Sequence, residues 1–549
     1  MKYLITILLF NISFSQTIKD FEYSKLTENE IKNFSNLCKI WGFLKYYHPN
    51  VAKGTFNWDE QLLTIIPKIK NAENNEDISK IYINWIDSLG YFKVCKSCNE
   101  IKSKEYFKKN LNLSWTQNVE IFSHELSKKL KYIEDNRFQG KNNYVSRTNA
   151  GNVFLTNEPK YENFNYPNVN YRLLSLFKYW NTIEYFFPYK YLTDQKWDDV
   201  LTEMIPKFIN SKDASEYQLS ILETVIKIDD THANFYSKKI HELFGYKYIP
   251  ARFKVLDGNA VLTSFYNDSL AKINDLRIGD VIEKVDGKDV SQIISTNKKY
   301  VNGSNNNVKS KNYDFTVFNG ATDTVKLSIK RNNLTINKQV GRYKEDLFKS
   351  KIINQEKYKL LVNNVGYINM ATLEMKDVDL MMSGMKSTKA IIIDLRNYPN
   401  FTPFLIARRL IKTEKRFSKL IEPDLSYPGK FIWRDGTIVP PKKNEYYSGK
   451  VVLLVNEETQ SAAEYSTMLL QTGDNITTIG NQTAGADGDV SKVEFMGFKS
   501  FMSGIGVFYP DNTETQRKGV KIDIYVTQTL KGIIEGRDEI LEKALEYLK

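Results

Sequence analysis

The feature that most constrains the fold is an internal duplication near the N-terminus. Residues 37–49 read LCKIWGFLKYYHP and residues 176–188 read LFKYWNTIEYFFP, and the offset of 139 residues continues without a gap. The matched positions are Trp41 with Trp180, Pro49 with Pro188, Trp58-Asp59 with Trp197-Asp198, and Pro67 with Pro206. Aromatic residues at helical spacing predict two or three packed amphipathic helices in each copy. We therefore predict two helical domains, over residues 17–165 and 166–245.

The second copy contains a polar motif that the first copy lacks. Its end reads ILETVIKIDDTHANFYSKK, with Asp230-Thr231-His232 at the centre. Two adjacent carboxylates point in different directions on a helix or a strand, so a metal chelate there is disfavoured. A lone histidine is usually a surface or core residue, and His48, which aligns with Phe187, is interpreted as packing. The position of His232 after two aspartates, in one copy only, instead favours a catalytic histidine.

The N-terminus reads MKYLITILLFNISFSQT, one lysine before an apolar run and then small residues. This pattern predicts a secretory signal peptide over residues 1–16, cleaved near Ser15 or Gln16. The run is too short to span a membrane comfortably, and no later segment reaches that length. The 77 basic residues are interleaved with 65 acidic ones, which disfavours a nucleic-acid partner. We expect an exported protein, periplasmic or secreted, without a transmembrane segment in the mature chain.

The chain has three cysteines, of which Cys95 and Cys98 form a CKSC motif. A structural zinc site needs about four ligands. The four histidines of the chain are not clustered with these cysteines. In an exported protein, the motif predicts either a small disulfide or two unpaired thiols.

The pattern of apolar residues and turn signals changes after the helical region. Residues 246–345 contain short β-type runs and turn signals, as in LRIGDVIEKVDGKDV, and predict one small β-rich module with NNNVKSKNYDF as a polar loop. From residue 355 to the end, buried apolar strands such as KAIIIDLR and KVVLLVN alternate with helical stretches. This alternation predicts an α/β core with parallel strands. The segment 413–448, rich in Lys, Pro and Tyr, is interpreted as a long surface excursion.

The stretch VNEETQSAAEYST follows one of these strands and allows two interpretations. Ser461 and Glu464 fit a Ser-x-x-Glu capping box at the start of a helix. Alternatively, Ser461 is a nucleophile at a strand-to-helix turn, where the helix dipole favours developing negative charge. The two interpretations are compatible, because a nucleophile can occupy a cap position.

Several stretches together resemble the S41 serine peptidases, the tail-specific and C-terminal processing protease family. They are KAIIIDLRN, VVLLVNEETQSAAE, TTIGNQTAGA and YPDNTETQRKGVKIDI, in that order, and LRIGDVIEKVDGKDV resembles part of a PDZ domain. The resemblance covers roughly residues 170–549. It implies a multidomain α+β protein with helical N-terminal repeats, a small PDZ-like module over residues 246–345, and an α/β (ClpP/crotonase-like) catalytic core over residues 355–549.

The resemblance also implies which residues carry the chemistry. In the processing-protease version of the family, a lysine of a Thr-x-Gly-Lys motif is the base, but Ala486 occupies that position here. The sequence is closer to the tricorn-like version, in which a histidine before the PDZ domain is the base. Ser461 would then be the nucleophile and His232 the base, with the hydroxyl residue Thr231 beside it. The acidic partner of the histidine would be Glu514 or Gln516; charge favours the first and position the second.

An oxyanion hole needs two N–H donors. In the family one donor follows the serine, here Ala462, and the other lies in a turn after the Asp-Leu-Arg strand. That turn reads Arg396-Asn397-Tyr398-Pro399-Asn400 here, so the donor would be the amide of Tyr398, because proline has no N–H.

The resemblance implies a serine peptidase that cleaves unfolded or C-terminally presented polypeptides and needs no metal or other cofactor. The expected partner is a polypeptide or peptide substrate. The alternative is a catalytically inactive, PDZ-containing pseudo-protease that only binds peptides. Retention of both His232 and Ser461 favours the enzyme, whereas Ala486 and the Tyr398-Pro399 turn favour the alternative.

Overall fold

The computed structural model describes residues 26–99, 104–162, 164–256, 258–348 and 356–549. The predicted signal peptide, residues 1–16, lies outside the described residues. Within these ranges, no helix combines the length and the apolar character that a membrane span requires.

The N-terminal part is mainly helical, and many of its helices begin at a Thr, Asn, Ser or Asp side chain that accepts a hydrogen bond from the first turn. The helices are α1 (Glu28–Tyr47), α2 (Pro49–Ala52), α3 (Trp58–Lys70), α4 (Asn75–Ser88), α5 (His124–Asp135), α6 (Val169–Phe186), α7 (Trp197–Asn210), α8 (Ala214–Ile226) and α9 (Lys238–Phe244). Three short strands accompany them, β1 (Tyr106–Phe107), β2 (Val145–Arg147) and β3 (Val153–Leu155).

Two pairs of tryptophans have the same geometry in the two predicted copies. The indole N–H of Trp41 donates to the carbonyl of Trp58 at 3.0 Å, and Trp58 returns the bond at 3.1 Å. Trp180 and Trp197 repeat the exchange at 2.9 and 3.0 Å, and the ring centroids of each pair are 6.4 Å apart. Each pair joins the first long helix of its copy to the next one, α1 to α3 and α6 to α7.

Cys95 and Cys98 form a disulfide, so the structure selects the first of the two states that the motif allowed. The third cysteine, Cys38, is free and buried.

The middle of the chain is a β-rich module whose main antiparallel sheet has the strand order β10-β9-β7-β6-β5, with β8 paired to β7. Its strands are β4 (Lys247–Tyr248), β5 (Ala251–Leu256), β6 (Asn259–Phe265), β7 (Val281–Val285), β8 (Lys288–Asp289), β9 (Thr324–Arg331), β10 (Leu334–Gly341) and β11 (Tyr343–Lys344). Its helices are α10 (Asp268–Ile273), α11 (Val290–Asn297), α12 (Asn306–Asn312) and α13 (Asp314–Val317).

The predicted polar loop NNNVKSKNYDF was wrong, because most of it forms α12 and α13. The side chain of Asn305 caps α12 by accepting from the amide of Val308, and Val308 is buried. The polar composition alone is typical of a loop. The Asn305 cap and the burial of Val308 nevertheless stabilise a helix here.

The C-terminal part is an α/β core around a six-stranded sheet of order β12-β13-β14-β19-β20-β24. Its strands are β12 (Tyr358–Leu361), β13 (Val365–Asn369), β14 (Ala390–Asp394), β15 (Lys415–Arg416), β16 (Lys419–Pro423), β17 (Phe431–Asp435), β18 (Ile438–Val439), β19 (Lys450–Val455), β20 (Ile476–Gly480), β21 (Val490–Phe495), β22 (Phe498–Ser503), β23 (Gly506–Phe508) and β24 (Ile524–Tyr525). Its helices are α14 (Val378–Gly384), α15 (Pro403–Ala407), α16 (Ala462–Leu470), α17 (Leu530–Ile534) and α18 (Glu539–Tyr547).

The predicted parallel character of this sheet is confirmed from β13 to β24, and only β12 runs antiparallel to its neighbour. Both faces are buried, as parallel sheets require. Ile391 and Ile393 of β14 pack on the side of α14, α15 and α16, whereas Ile392 packs on the side of α18. Ser461 therefore follows β19 at the carboxyl edge of the sheet, where α/β proteins place their sites.

The predicted surface excursion, 413–448, was wrong as a description of its central part. Strands β16 and β17 join β1 and β23 in a four-stranded sheet of order β1-β17-β16-β23. Ile421 and Phe431 are fully buried in it. The polar and proline-rich composition of this segment does not indicate strands. The outer partners of β16 and β17 are β23, more than 80 residues away, and β1 in the helical region.

The hairpin of β21 and β22 packs against the N-terminal helices. Phe495 lies 5.2 Å from the ring of Tyr179 on α6, and Phe498 lies 5.4 Å from the ring of Phe235 (centroid distances). These hairpin residues share one hydrophobic core with the helices. The core thereby fixes the end of β22, Ser503, against the loop that follows α8.

Candidate active site

Ser461 has a strained backbone at the start of α16. Its φ is +55° and its ψ is −118°, a region that residues with a Cβ rarely occupy and that costs of order 1–3 kcal/mol. The Ser461 amide donates to the carbonyl of Ala486 at 3.0 Å and to Oε2 of Glu464 at 3.3 Å. Such strain is typical of a nucleophile presented on a sharp strand-to-helix turn.

Glu464 is fully buried and ties this turn to the loop Thr483–Ala486. Its carboxylate accepts from the Thr483 hydroxyl at 2.5 Å, from the Gly485 amide at 2.7 Å and from the Ala486 amide at 3.0 Å. Burial raises the pKa of Glu464, and the hydrogen bonds from this loop oppose the rise. The carboxylate of the predicted capping box therefore does more than cap α16, because it also fixes the segment that faces the serine.

The candidate base, His232, lies in a tight loop after α8. The amide of His232 donates to Oδ1 of Asp230 at 3.0 Å, and the carbonyl of Asp230 accepts from the amide of Ala233 at 3.0 Å. The preceding residue, Asp229, has a φ of +50° and pairs with Lys309 at 3.2 Å. Asp230 is therefore held beside the imidazole by the turn itself.

The His232 ring is oriented by Ser503 and Asp230. Nδ1 lies 3.0 Å from the Ser503 hydroxyl oxygen and 3.5 Å from Oδ1 of Asp230. The Ser503 hydroxyl donates to Oδ1 of Asp230 at 3.2 Å, and the Ser503 amide donates to Oδ2 at 2.6 Å. Since Ser503 uses its proton on the carboxylate, we assign the Nδ1 proton of His232 to the Ser503 oxygen. Nε2 is then the unprotonated nitrogen that a general base needs.

The charges around the ring shift two pKa values in opposite directions. Burial lowers the pKa of His232, but the Asp230 carboxylate beside Nδ1, aided by the charge of Glu464, outweighs burial and raises it above its ordinary value. Burial raises the pKa of Asp230, but the hydrogen bond and charge of His232 and the Ser503 amide outweigh it, and the net shift is downward. Asp230 is thus ionised at neutral pH and stabilises the protonated imidazole.

Thr231 connects the histidine loop to the nucleophile region. Its hydroxyl accepts from the Ser304 amide at 2.9 Å and donates to the carbonyl of Ala484 at 3.4 Å. The side chain of Asn305 donates to the carbonyls of Thr483 at 2.8 Å and Ala484 at 3.1 Å. The β-rich module thus bridges the histidine loop and the loop that contacts Ser461.

In the described part of the chain, Ser461 Oγ and the His232 ring are not hydrogen-bonded to each other. Their neighbours are close: Thr231 contacts Ala484, and the Ser461 amide contacts Ala486, two residues further on. Thr231 and Gln460, which precede the two candidate residues, also line one cavity. Catalytic contacts of this kind often tighten only in the Michaelis complex.

Neither residue that we expected as the acidic partner touches the histidine. Glu514 pairs with Lys109 and accepts from the Tyr191 hydroxyl, both at 3.0 Å. The side chain of Gln516 is buried, and within the described residues both its polar atoms lack a hydrogen-bond partner. The structure places Asp230 there instead, the aspartate of the Asp-Thr-His motif, which the sequence did not indicate as the partner of the ring. Ser503 was missed because it lies 271 residues from His232 in sequence.

The expected oxyanion donors lie at two different strand ends. Ala462 is the first residue of α16, and its amide forms no hydrogen bond within the described residues. Tyr398 lies on the turn after β14, and its side chain is 67% exposed. Arg396, at the start of that turn, pairs with Asp394 and Asp538, both at 2.7 Å.

No group of three or more metal-ligating side chains is present among the described residues.

Comparisons with known proteins identify the class. Residues 364–526 match the family model of peptidase family S41. The structure of mature CPAF complexed with lactacystin superposes with a TM-score of 0.54 at 13% identity, covering 69% of this chain and 98% of that one. Mature CPAF alone gives a TM-score of 0.53 at 16% identity, with the same coverage. No curated protein matches the sequence.

The structural likeness shows a shared fold, and the family model covers the part of the chain that contains Ser461. The protein is therefore a serine peptidase. Within that class, its C-terminal core is of the S41 type over residues 364–526.

Proposed function

We propose that the protein is an exported peptidase that hydrolyses peptide bonds of unfolded or C-terminally presented polypeptides, with Ser461 as nucleophile and His232 as base. The observation that carries this assignment is the His232–Ser503–Asp230 chain, in which Nδ1 of His232 faces the Ser503 hydroxyl, so that Nε2 is assigned as the unprotonated nitrogen. The loop Thr483–Ala486 connects this chain to Ser461, whose backbone is strained, because Thr231 contacts Ala484 and the Ser461 amide donates to Ala486.

In the proposed mechanism, Nε2 of His232 removes the proton of Ser461 as Oγ attacks the peptide carbonyl. The carbonyl oxygen becomes an oxyanion, and the imidazolium formed is stabilised by Ser503 and Asp230. Collapse of the tetrahedral intermediate breaks the C–N bond, and His232 gives its proton to the leaving amine. Water then attacks the acyl ester with His232 again as base, which releases the new carboxylate and regenerates the Ser461 hydroxyl.

Stabilisation of the oxyanion is assigned to the amide of Ala462, together with an amide of the turn that contains Tyr398. The free amide at the N-terminus of α16 supports the first assignment. Each well-aimed donor lowers the barrier by about 3–4 kcal/mol. Glu464 contributes indirectly. Its carboxylate accepts hydrogen bonds from the loop Thr483–Ala486 and so holds that loop against the turn that contains Ser461.

The β-rich module over residues 246–345 is proposed to be PDZ-like and to capture substrate. Within the described residues, its sheet ends at strand β5, whose one partner strand in the sheet is β6. An extended peptide can add a strand to such an edge and have its terminal carboxylate bound by backbone amides. The two helical domains, 17–165 and 166–245, are proposed as a duplicated scaffold, of which the second supplies His232. The identical tryptophan pairs support this layout.

The test compares the mature protein (residues 17–549) with its Ser461→Ala and His232→Ala variants on an unfolded protein and a mixed peptide pool, with fragments identified by mass spectrometry. We expect cleavage by the parent and a loss of at least about 10³-fold in both variants. Equal cleavage by all three proteins would contradict the assignment. Peptide binding without cleavage by the folded parent would support the pseudo-protease instead.

Export is tested separately by fractionation of cells that produce the full chain. We expect the protein in the periplasm or the medium, with residues 1–16 removed. A protein that stays in the cytoplasm with an intact N-terminus would contradict the proposal.

A further inference from the structure

A cavity of about 480 Å³ lies close to the loops of the candidate catalytic residues, neither of which is among its lining residues. Thr231 and Gln460, which precede His232 and Ser461 in sequence, contribute to its lining. Its walls come from α8, α9 and the α12–α13 region, so it lies between the helical part and the β-rich module. The apolar and aromatic side chains of the wall include Leu222, Ile226, Phe244, Tyr300 and Phe315.

The aromatic wall is held by its own contacts. The ring of Phe244 lies 5.8 Å from that of Tyr300 and 5.2 Å from that of Phe315, both in edge-to-face geometry. A wall of this kind packs against the methylene stem of a long side chain, and its ring faces also attract a cation.

Two acceptor atoms of cavity-lining residues are unused. Oδ1 of Asp314 and Oδ1 of Asn234 are buried, and neither has a hydrogen-bond partner in the described structure. The other oxygen of Asp314 accepts from the Tyr266 hydroxyl at 3.1 Å. Burial raises the pKa of Asp314 to about 7. A buried carboxyl in this state is stabilised when a cation pairs with it.

The other charged groups near the cavity leave this carboxyl unpaired. The Lys311 ammonium already pairs with Glu458 at 2.7 Å. Arg252 stacks on the ring of Tyr266 at 4.9 Å and lines a neighbouring cavity that Asp314 also borders, without forming an ion pair with it. His241 lies edge-on to another ring of the wall, that of Tyr236, at 6.2 Å. No ion pair of Asp314 within 4.0 Å occurs among the described residues.

We propose that this cavity binds the side chain that precedes the cleaved bond and that it selects lysine or arginine. The inference rests on the proposed function, because it takes Ser461 and His232 as the reacting residues. The long stem of the substrate side chain packs on the Phe244 wall, and its charged end pairs with the carboxyl group of Asp314, which lines the cavity. Asp314 is then the residue that determines specificity.

The first experiment measures binding without catalysis. Benzamidine, an aromatic cation, and benzamide, its neutral analogue, are titrated into the mature protein at pH 8, where Asp314 is ionised. We expect benzamidine to bind at least tenfold more tightly, and we expect this difference to disappear in Asp314→Asn. The matched control is Asp289→Asn, a carboxylate on the exposed strand β8 whose ion-pair partner is Lys284. Equal affinities, or an unchanged difference in Asp314→Asn, would overturn the proposal.

The second experiment measures cleavage of peptides that differ only at the position before the scissile bond. We expect kcat/KM to be at least tenfold higher for lysine and arginine than for leucine and phenylalanine, and the ratio to fall toward one in Asp314→Asn. A preference for leucine or phenylalanine would overturn the assignment of the pocket. If benzamidine binds as expected but no peptide is cleaved, the catalytic assignment of Ser461 and His232 fails, whereas the cation selectivity of the cavity is established.

Discussion

At the scale of single residues, the site depends on how three side chains share protons. Asp230 is an acceptor only, Ser503 donates to it, and His232 is left to donate its Nδ1 proton to Ser503. An aspartate two residues before the histidine thus acts both on its ring and on its backbone amide. The same carboxylate sets the tautomer and the pKa of the base.

Asp230→Asn should change both the rate and its pH dependence. The pKa of His232 is raised in the folded protein. The neutral imidazole that acts as the base therefore forms at a higher pH than it does for a free histidine side chain. Without the charge of Asp230, burial dominates and lowers that pKa, so the acid limb of the kcat/KM profile should move to lower pH. We also expect kcat to fall by about 10²-fold or more, because the tautomer is no longer fixed.

The control for this prediction is Asp229→Asn. Asp229 has a positive φ, which asparagine tolerates, and it pairs with Lys309. Its substitution should leave the acid limb in place. An acid limb that is the same in Asp230→Asn and in the parent would contradict the role of Asp230.

Glu464→Gln tests the buried anchor of the nucleophile turn. An amide supplies one acceptor oxygen where the carboxylate supplies two, so some of the donors from Thr483, Gly485, Ala486 and Ser461 lose their partner. We expect a loss of about 1–3 kcal/mol in the free energy of unfolding and a lower kcat, measured by urea denaturation and steady-state kinetics. Glu494→Gln, on a surface ion pair with Lys492, should change neither. Unchanged stability and rate in Glu464→Gln would count against this role.

At the scale of elements, packing decides where catalytic neighbours lie. The hairpin of β21 and β22 belongs by sequence to the peptidase core, but its apolar side chains are buried against N-terminal helices. That burial places Ser503 at the histidine loop. Strands β16 and β17 join the same two parts of the chain through the sheet that includes β1.

Phe495→Ala should therefore reduce stability and activity together. Phe495 is 3% exposed, and removal of a buried phenylalanine ring costs about 3–5 kcal/mol. The lost anchor should also loosen Ser503, so that kcat falls more than the remaining folded fraction explains. Tyr525→Ala, at a position that is 69% exposed on β24, is the control and should change stability by less than about 0.5 kcal/mol. A destabilised variant with normal kcat per folded molecule would separate the hairpin from catalysis.

At the scale of the whole molecule, the site is assembled from three parts of the chain. The helical part supplies His232, the α/β core supplies Ser461, and the β-rich module holds them together through Ser304 and Asn305. The family model matches only residues 364–526 of the core, so the candidate base lies outside the matched segment.

Ser304→Ala tests this assembly. The hydroxyl of Ser304 accepts from the Thr231 amide at 2.8 Å and lies 3.0 Å from its hydroxyl oxygen, so its removal leaves a buried amide unpaired. An unpaired buried donor costs about 1–3 kcal/mol, and we expect kcat/KM to fall by about tenfold or more. The control is Ser310→Ala, whose hydroxyl bonds only within α12. Equal activities in kinetic assays of the two variants would show that this bridge does not position the histidine.

The sequence by itself determined the elements and several of the candidate residues. Apolar runs flanked by turns predicted the parallel strands β14 and β19, because burial of both sheet faces requires such runs. Ser461 was found from its place after one of these strands, and His232 from a motif that one repeat copy lacks. Local patterns predict the strand, the turn and the helix start around Ser461, because all three are encoded within about ten residues. The catalytic roles of Ser461 and His232 came from the resemblance to the S41 peptidases.

Only the tertiary structure decided which side chains meet at the site. Asp230 and Ser503 are 273 residues apart in sequence, and Thr231 and Ala484 are 253 apart. Contacts at such separations depend on how the hairpin packs on the helices and how the β-rich module bridges two loops, and no short sequence pattern encodes either. For the same reason Glu514, a plausible partner by charge, instead pairs with Lys109 from the helical part.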